Sequence, residues 1–182
     1  MVYVFLADGF EECEALAPVD ILRRGGIDVT TVGVGSKSIK GAHGITVLCD
    51  CDTNCIPKSD LTAVILPGGM PGTLNLEKNE TVIEYVKSAA KENRIIGAIC
   101  AAPSILGHIG LLKGKKATCF GGFENDLIGA AVDSALPVVT DGNIITAYGA
   151  GAAFDFGFAL LTAITEDRKK TEELMHSMRY KN

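Results

Sequence analysis

The sequence predicts a doubly wound α/β fold, a mostly parallel sheet with helices on both faces. Three observations carry that expectation. Short β-branched apolar runs alternate with longer amphipathic segments, the pattern of strand–helix–strand units joined by right-handed crossovers. Two of the runs, residues 62–66 (TAVIL) and 94–99 (RIIGAI), have apolar interiors without alternation, as strands covered on both faces require. Many of the 21 glycines fall at the ends of the apolar runs, where tight turns are needed.

The elements follow in order. Residues 2–7 (VYVFLA) read as a first strand. Residues 11–24 read as a helix, with Leu16, Val19, Ile21 and Leu22 at helical spacing and Gly25-Gly26 as its stop. Residues 27–34 form a second strand, and residues 44–50 (GITVLCD) a small antiparallel addition. After the strand at 62–66 comes a helix over 79–93, then the strand at 94–99, then a helix over 103–109. Residues 117–120 and 137–140 are further short strands. The turn Asp141-Gly142-Asn143 makes a hairpin into a strand over 144–147. A buried helix over 150–164 and a polar one over 166–178 close the chain. The 182 residues suit one domain, residues 1–182, around one sizeable core.

Composition excludes several classes. Hydrophobic residues make up 47% and charged residues 21%, the balance of a soluble globular protein. A net charge of −5 does not fit a nucleic-acid binder, which needs clustered Lys and Arg. No apolar run approaches the ~18 residues of a membrane span. The first residues turn acidic after six apolar positions, unlike a secretory signal. The expectation is a cytoplasmic protein whose six cysteines are mostly thiols.

Ligands of doubly wound sheets bind beyond the carboxyl ends of the strands. That rule selects three loops: residues 8–14, 68–72 and 100–103. In Gly97-Ala98-Ile99-Cys100-Ala101-Ala102-Pro103 a strand runs into a cysteine and then a helix, with small residues two before and two after it. A nucleophile elbow needs that spacing, because its turn is too sharp for larger side chains. Pro103 fits the first helical turn, and the helix terminus would stabilise a thiolate. A buried structural cysteine is the competing reading. The loop DGFEECE places carboxylates after the first strand. Glu11 and Glu12 suit a helix N-terminus, while Glu14 lies one turn further in, on a face able to meet the neighbouring strand end. Pro67-Gly68-Gly69-Met70-Pro71-Gly72 is either a tight turn or a source of bare N–H groups for an oxyanion.

The segments GFEECEALAPVDILRRGGIDV, VILPGG and GAICAAP together resemble the ThiJ/PfpI family, and the similarity extends to Tyr148-Gly149-Ala150-Gly151. The resemblance implies a flavodoxin-like fold and a homodimer. It implies that Cys100 is an oxidisable nucleophile contacted by Glu14. The Gly69 and Ala101 N–H groups would form an oxyanion pocket, with Gly68 beside them, and Cys13, Asp20 and Arg24 would lie at or near the dimer interface. Members of the family act as glutathione-independent glyoxalases, deglycases, oxidative-stress sensors, chaperones and, in one branch, proteases. Many carry a histidine where this chain has Phe120. The remaining histidines do not replace it. His108 is roughly 12 Å along its helix from Cys100, and His176 has polar neighbours. His43, where relatives carry an arginine, is a candidate pocket residue, as are Cys119 and Phe120.

Cys49, Cys51 and Cys55 have a C-x-C-x3-C spacing that is not a standard zinc pattern. Alternation places Cys49 and Cys51 on one strand face, in a structural role or in metal or redox pairing. The first functional expectation is an enzyme acting on methylglyoxal or early glycation adducts through Cys100 and Glu14, with no metal or organic cofactor. Its partners would be a small carbonyl substrate or a glycated protein. The second is a non-enzymatic redox sensor or redox-regulated chaperone using Cys100. A cysteine peptidase ranks last, for want of a base.

Overall fold

The computed structural model describes residues 1–56 and 60–181. Its elements are β1 (Val2–Leu6), α1 (Glu12–Arg24), β2 (Val29–Gly33), β3 (Ser38–Lys40), β4 (Thr46–Leu48), β5 (Cys51–Asp52), β6 (Ala63–Leu66), α2 (Gly72–Lys78) and α3 (Glu80–Lys91). They continue with β7 (Ile95–Ile99), α4 (Pro103–His108), β8 (Lys116–Ala117), β9 (Ala131–Val132), β10 (Val138–Asp141), β11 (Ile144–Ala147), α5 (Ala153–Thr165) and α6 (Arg168–Ser177). The main sheet has seven strands in the order β10-β11-β7-β6-β1-β2-β5. Every pair in it is parallel except the edge hairpin β10–β11.

In β1, Val2, Val4 and Leu6 pack into one core cluster, with α1 and α5. Tyr3 and Phe5 pack into the other, with α3 and α4. The strand is apolar throughout because both of its faces are covered. The helices of the first layer touch closely at Gly157 of α5. A Cβ there would lie 2.6 Å from Ile21 Cδ1, so this glycine sets how near α1 approaches. Side-chain caps begin two of the helices: Asn79 Oδ1 accepts from the Val82 N–H, and Asp167 Oδ1 from the Lys170 N–H. Among the described residues, no helix is long and apolar enough to cross a membrane.

Several elements differ from the sequence expectation. The helix expected over 166–178 starts only at Arg168, since Glu166 adopts a left-handed φ of +54° and breaks it from α5. The strand expected over 117–120 ends at Ala117. Beyond it the Thr118 N–H goes to Thr146 Oγ1 and the Phe120 N–H to the Cys100 carbonyl, so no ladder can form. Helix α2 and strand β3, the antiparallel partner of β4, are additions that no clear periodicity announces. Cys49 and Cys51 do not share a face. Asp50 is held by the Thr31 N–H and hydroxyl and by Arg23, and this anchor breaks the chain's alternation. Cys49 then packs with the α1 side and Cys51 with the α3 side. All six cysteines are free thiols.

Candidate active site

The chain leaves β1 towards β2 on one side and returns to β6 on the other, so a crevice opens beyond the ends of β1 and β6. The two residues expected to react meet there. Cys100 follows β7 directly. Its N–H still joins the ladder, donating to the Ala147 carbonyl at 2.8 Å, but its own φ is +66°. A non-glycine residue in that region is strained unless its surroundings hold it, and here the strain turns the thiol out at an elbow. The Cys100 carbonyl accepts from the Phe120 N–H at 2.9 Å, which holds the far side of the turn.

Glu14 lies in the first turns of α1 and is 1% exposed. One carboxylate oxygen accepts the Gly68 N–H at 2.9 Å, and the carboxyl is hydrogen-bonded to the Cys100 thiol. Gly68 is what lets the two approach. A Cβ at Gly68 would stand 2.6 Å from Cys100 Cβ, 2.7 Å from Glu14 Oε2 and 2.9 Å from the Ile99 carbonyl. Gly68→Ala should therefore push sulfur and carboxyl apart and lower any Cys100-dependent rate on the order of 10²-fold. Steady-state kinetics beside an unfolding curve would show whether the loss is local. Gly69, with φ of +88°, turns its N–H to the Cys100 sulfur, as does Ala101.

Burial pushes the Glu14 carboxyl up to about 7, with the charge of Glu11 adding to the effect, against hydrogen bonds from Cys100 and Gly68. The Cys100 thiol is pushed up to about 12, first by burial and then by the charge and hydrogen bond of Glu14. The Gly69 and Ala101 N–H groups pull the other way and are outweighed. The simple helix-terminus thiolate expected from sequence is thus replaced by a coupled pair. It gives up its first proton near neutrality and keeps the second to high pH.

The other expected residues scatter. Phe120 is 52% exposed, and its ring lies with Glu14 Oε1 next to Gly149, whose missing Cβ would meet them at 3.2 and 3.9 Å. It forms an apolar edge beside the pair. In the sequence Gly149 is marked only by its motif, because a glycine's use as clearance depends on distant neighbours. Cys119 is 2% exposed and lies in the core cluster of the α3 side, where burial pushes its thiol up to about 11. His43 pairs with Glu11 and Glu12, and His108 with Glu77 and Asp126. Cys13, Asp20 and Arg24 are exposed on α1, the last two in a 2.7 Å ion pair. Glu12 has the sequence position of a helix-end charge, yet it is 5% exposed and binds the β3–β4 hairpin through the His43 and Ile45 N–H groups.

A family model described as the DJ-1/PfpI family matches residues 1–163. Protein DJ-1 homolog B of Arabidopsis thaliana is 35% identical over 94% of this chain, which spans only 40% of that protein's length. A protein named as a deglycase from Pyrococcus abyssi is 33% identical over 80% of this chain and 87% of its own. The crystal structure of a DJ-1 superfamily protein from Salmonella typhimurium superposes with a TM-score of 0.92 at 36% identity, covering 98% of this chain and 97% of that one.

Proposed function

This chain belongs to the DJ-1/PfpI family, and from that premise we propose that it is a cysteine-dependent enzyme of the glyoxalase or deglycase type. The observation that carries the reading is the Cys100–Glu14 pair, a sulfur at a strained elbow hydrogen-bonded to a buried carboxyl that Gly68 also holds.

The reaction on methylglyoxal uses the pair's proton at each step. The form with sulfur ionised and Glu14 protonated attacks the aldehyde carbon. Glu14 gives its proton to the resulting alkoxide, leaving a hemithioacetal and a Glu14 carboxylate. The carboxylate then removes the hydrogen from the former aldehyde carbon to give an enediolate and returns it to the adjacent carbon, while the hydroxyl proton of the first carbon passes to the oxygen of the second. A lactoyl thioester on Cys100 results, and water hydrolyses it to lactate and free thiol. The Gly69 and Ala101 N–H groups, already aimed at the sulfur, are placed to receive the developing oxyanion. On an early glycation adduct the same thiol would take over the carbonyl carbon and release the amine. Glu14 is the only base this scheme needs, so the absence of a histidine at Phe120 bears on the peptidase reading and not on this one. The exposed stripe of Cys13, Leu16, Asp20 and Arg24 on α1 is the face through which we place a homodimer, acting in the cytoplasm.

Metal-free protein without glutathione should consume methylglyoxal and release lactate in equal amounts, followed by an enzymatic lactate assay. No lactate above the protein-free blank would overturn the reading. The partial exposure of Cys100 favours a second one, oxidation of its thiolate by peroxide to a sulfenate held beside the Glu14 hydroxyl. Peptide mass spectrometry after mild peroxide should then find Cys100 modified ahead of exposed Cys13 and Cys55; equal modification would contradict it.

A further inference from the structure

Glu11, Glu12 and His43 converge at the start of α1, away from the sulfur, and take no part in the scheme above. One ligand atom from each lies within 4.8 Å of the others. His43 Nδ1 is 3.0 Å from Glu12 Oε2 and 3.2 Å from Glu11 Oε2. We propose that these three side chains form a binding site for a divalent cation of the zinc class, held by one imidazole nitrogen and two carboxylate oxygens.

The separations in this ion-paired cluster are close to those of a zinc ligand set. In tetrahedral zinc, bonds of about 2.0–2.2 Å put neighbouring ligand atoms roughly 3.4 Å apart. The two nitrogen–oxygen separations need to open by only a few tenths of an ångström. Loss of the Nδ1 proton leaves the lone pair pointing between the two carboxylates, so binding releases a proton wherever Nδ1 was protonated. A mixed imidazole and carboxylate set suits zinc better than calcium, which takes oxygen ligands alone, or than copper(I), which prefers sulfur.

Glu12 also has the fixed surroundings that metal carboxylates need. Its side chain is buried, and Oε1 accepts the His43 N–H at 2.9 Å and the Ile45 N–H at 3.3 Å, which leaves Oε2 facing the cluster. The backbone at Gly41 closes over the carboxyl so tightly that a Cβ would stand 2.3 Å from its carbon. The His43 side chain is 69% exposed and Glu11 17%, which leaves a fourth coordination position open to water. The bound ion would clamp the β3–β4 hairpin to α1.

The test is calorimetric titration of zinc chloride into Cys100→Ser, which removes the reactive thiol as a competitor, beside Cys100→Ser/His43→Ala. His43 is exposed, so its loss leaves the core intact, and circular dichroism would confirm the fold. One ion per chain is expected, with affinity at least about 10-fold weaker without the imidazole, since even loss of an outer partner costs about 10–100-fold. Zinc should raise the Tm of the first protein and not of the second. Cobalt(II) in the same site should show no thiolate charge-transfer band. Equal zinc affinity in both proteins, or cobalt bound through sulfur, would overturn the proposal. Glu12→Gln, judged by cobalt spectrum rather than by stability, should lose the signal as well.

Discussion

Cys100→Ser should reduce methylglyoxal turnover on the order of 10³-fold or more while leaving the fold in place. A serine fits the elbow sterically, and the backbone bonds that hold it, the Cys100 N–H to the Ala147 carbonyl and the Phe120 N–H to the Cys100 carbonyl, do not involve the side chain. What changes is the acid. A carboxylate titrating at about 7 can share the proton of a thiol but is far too weak a base to ionise an alcohol. The hemithioacetal is not formed, and no later step can compensate. Lactate formation measured as kcat/KM, beside a urea unfolding curve, separates chemistry from stability. A serine variant within about tenfold of the parent would show that the thiol is not the nucleophile.

Glu14→Gln should lose about 10²–10⁴-fold in the same assay, because the amide can still accept the Gly68 N–H but can neither take nor return a proton. Stability should move the other way. Folding raises the Glu14 pKa from 4.5 to about 7, so the folded chain binds more protons than the unfolded one between those values. The contribution is fully present below pH 4.5 and is lost as pH rises through about 7. A shift of that size corresponds to roughly 3 kcal/mol. The variant, with no charge to bury, should therefore be more stable than the parent above pH 7, and the parent's Tm should fall with pH while the variant's falls less. The Cys100 thiol should also titrate lower once the carboxylate charge is gone. A variant less stable than the parent at pH 8 would contradict the assigned burial cost.

Much of this was legible in the chain. The alternation of apolar runs and amphipathic segments predicts the main parallel sheet and its covering helices, and the carboxyl-end rule selects the loops that meet at Cys100. Small residues around Cys100 predict the elbow because that constraint is local. The structure adds what local patterns do not encode. The helix-terminus argument predicts a stabilised thiolate, but the balance turned on how deeply Glu14 and Cys100 are buried together, a property of the assembled core. Cys49 and Cys51 share the two-residue period of a strand, yet Asp50 between them is anchored by Thr31 and Arg23 from elsewhere in the chain. Glu12 has the composition of a helix-end charge, and only the return of the hairpin at His43 and Ile45 makes it a buried anchor. Gly149 and Gly68 work as clearances, and a glycine's neighbours are not written beside it.

The mechanism requires Cys100 and Glu14 to share one proton near neutral pH. Iodoacetamide alkylation of Cys100, followed peptide by peptide from pH 5 to 9.5, tests it most directly. The parent's rate should rise through an apparent pKa near 7, set by the first proton lost from the pair, and Glu14→Gln should lose that step while keeping a single one of its own. A parent profile with a single step at ordinary thiol pH, unchanged in Glu14→Gln, would show two independent groups and contradict the account.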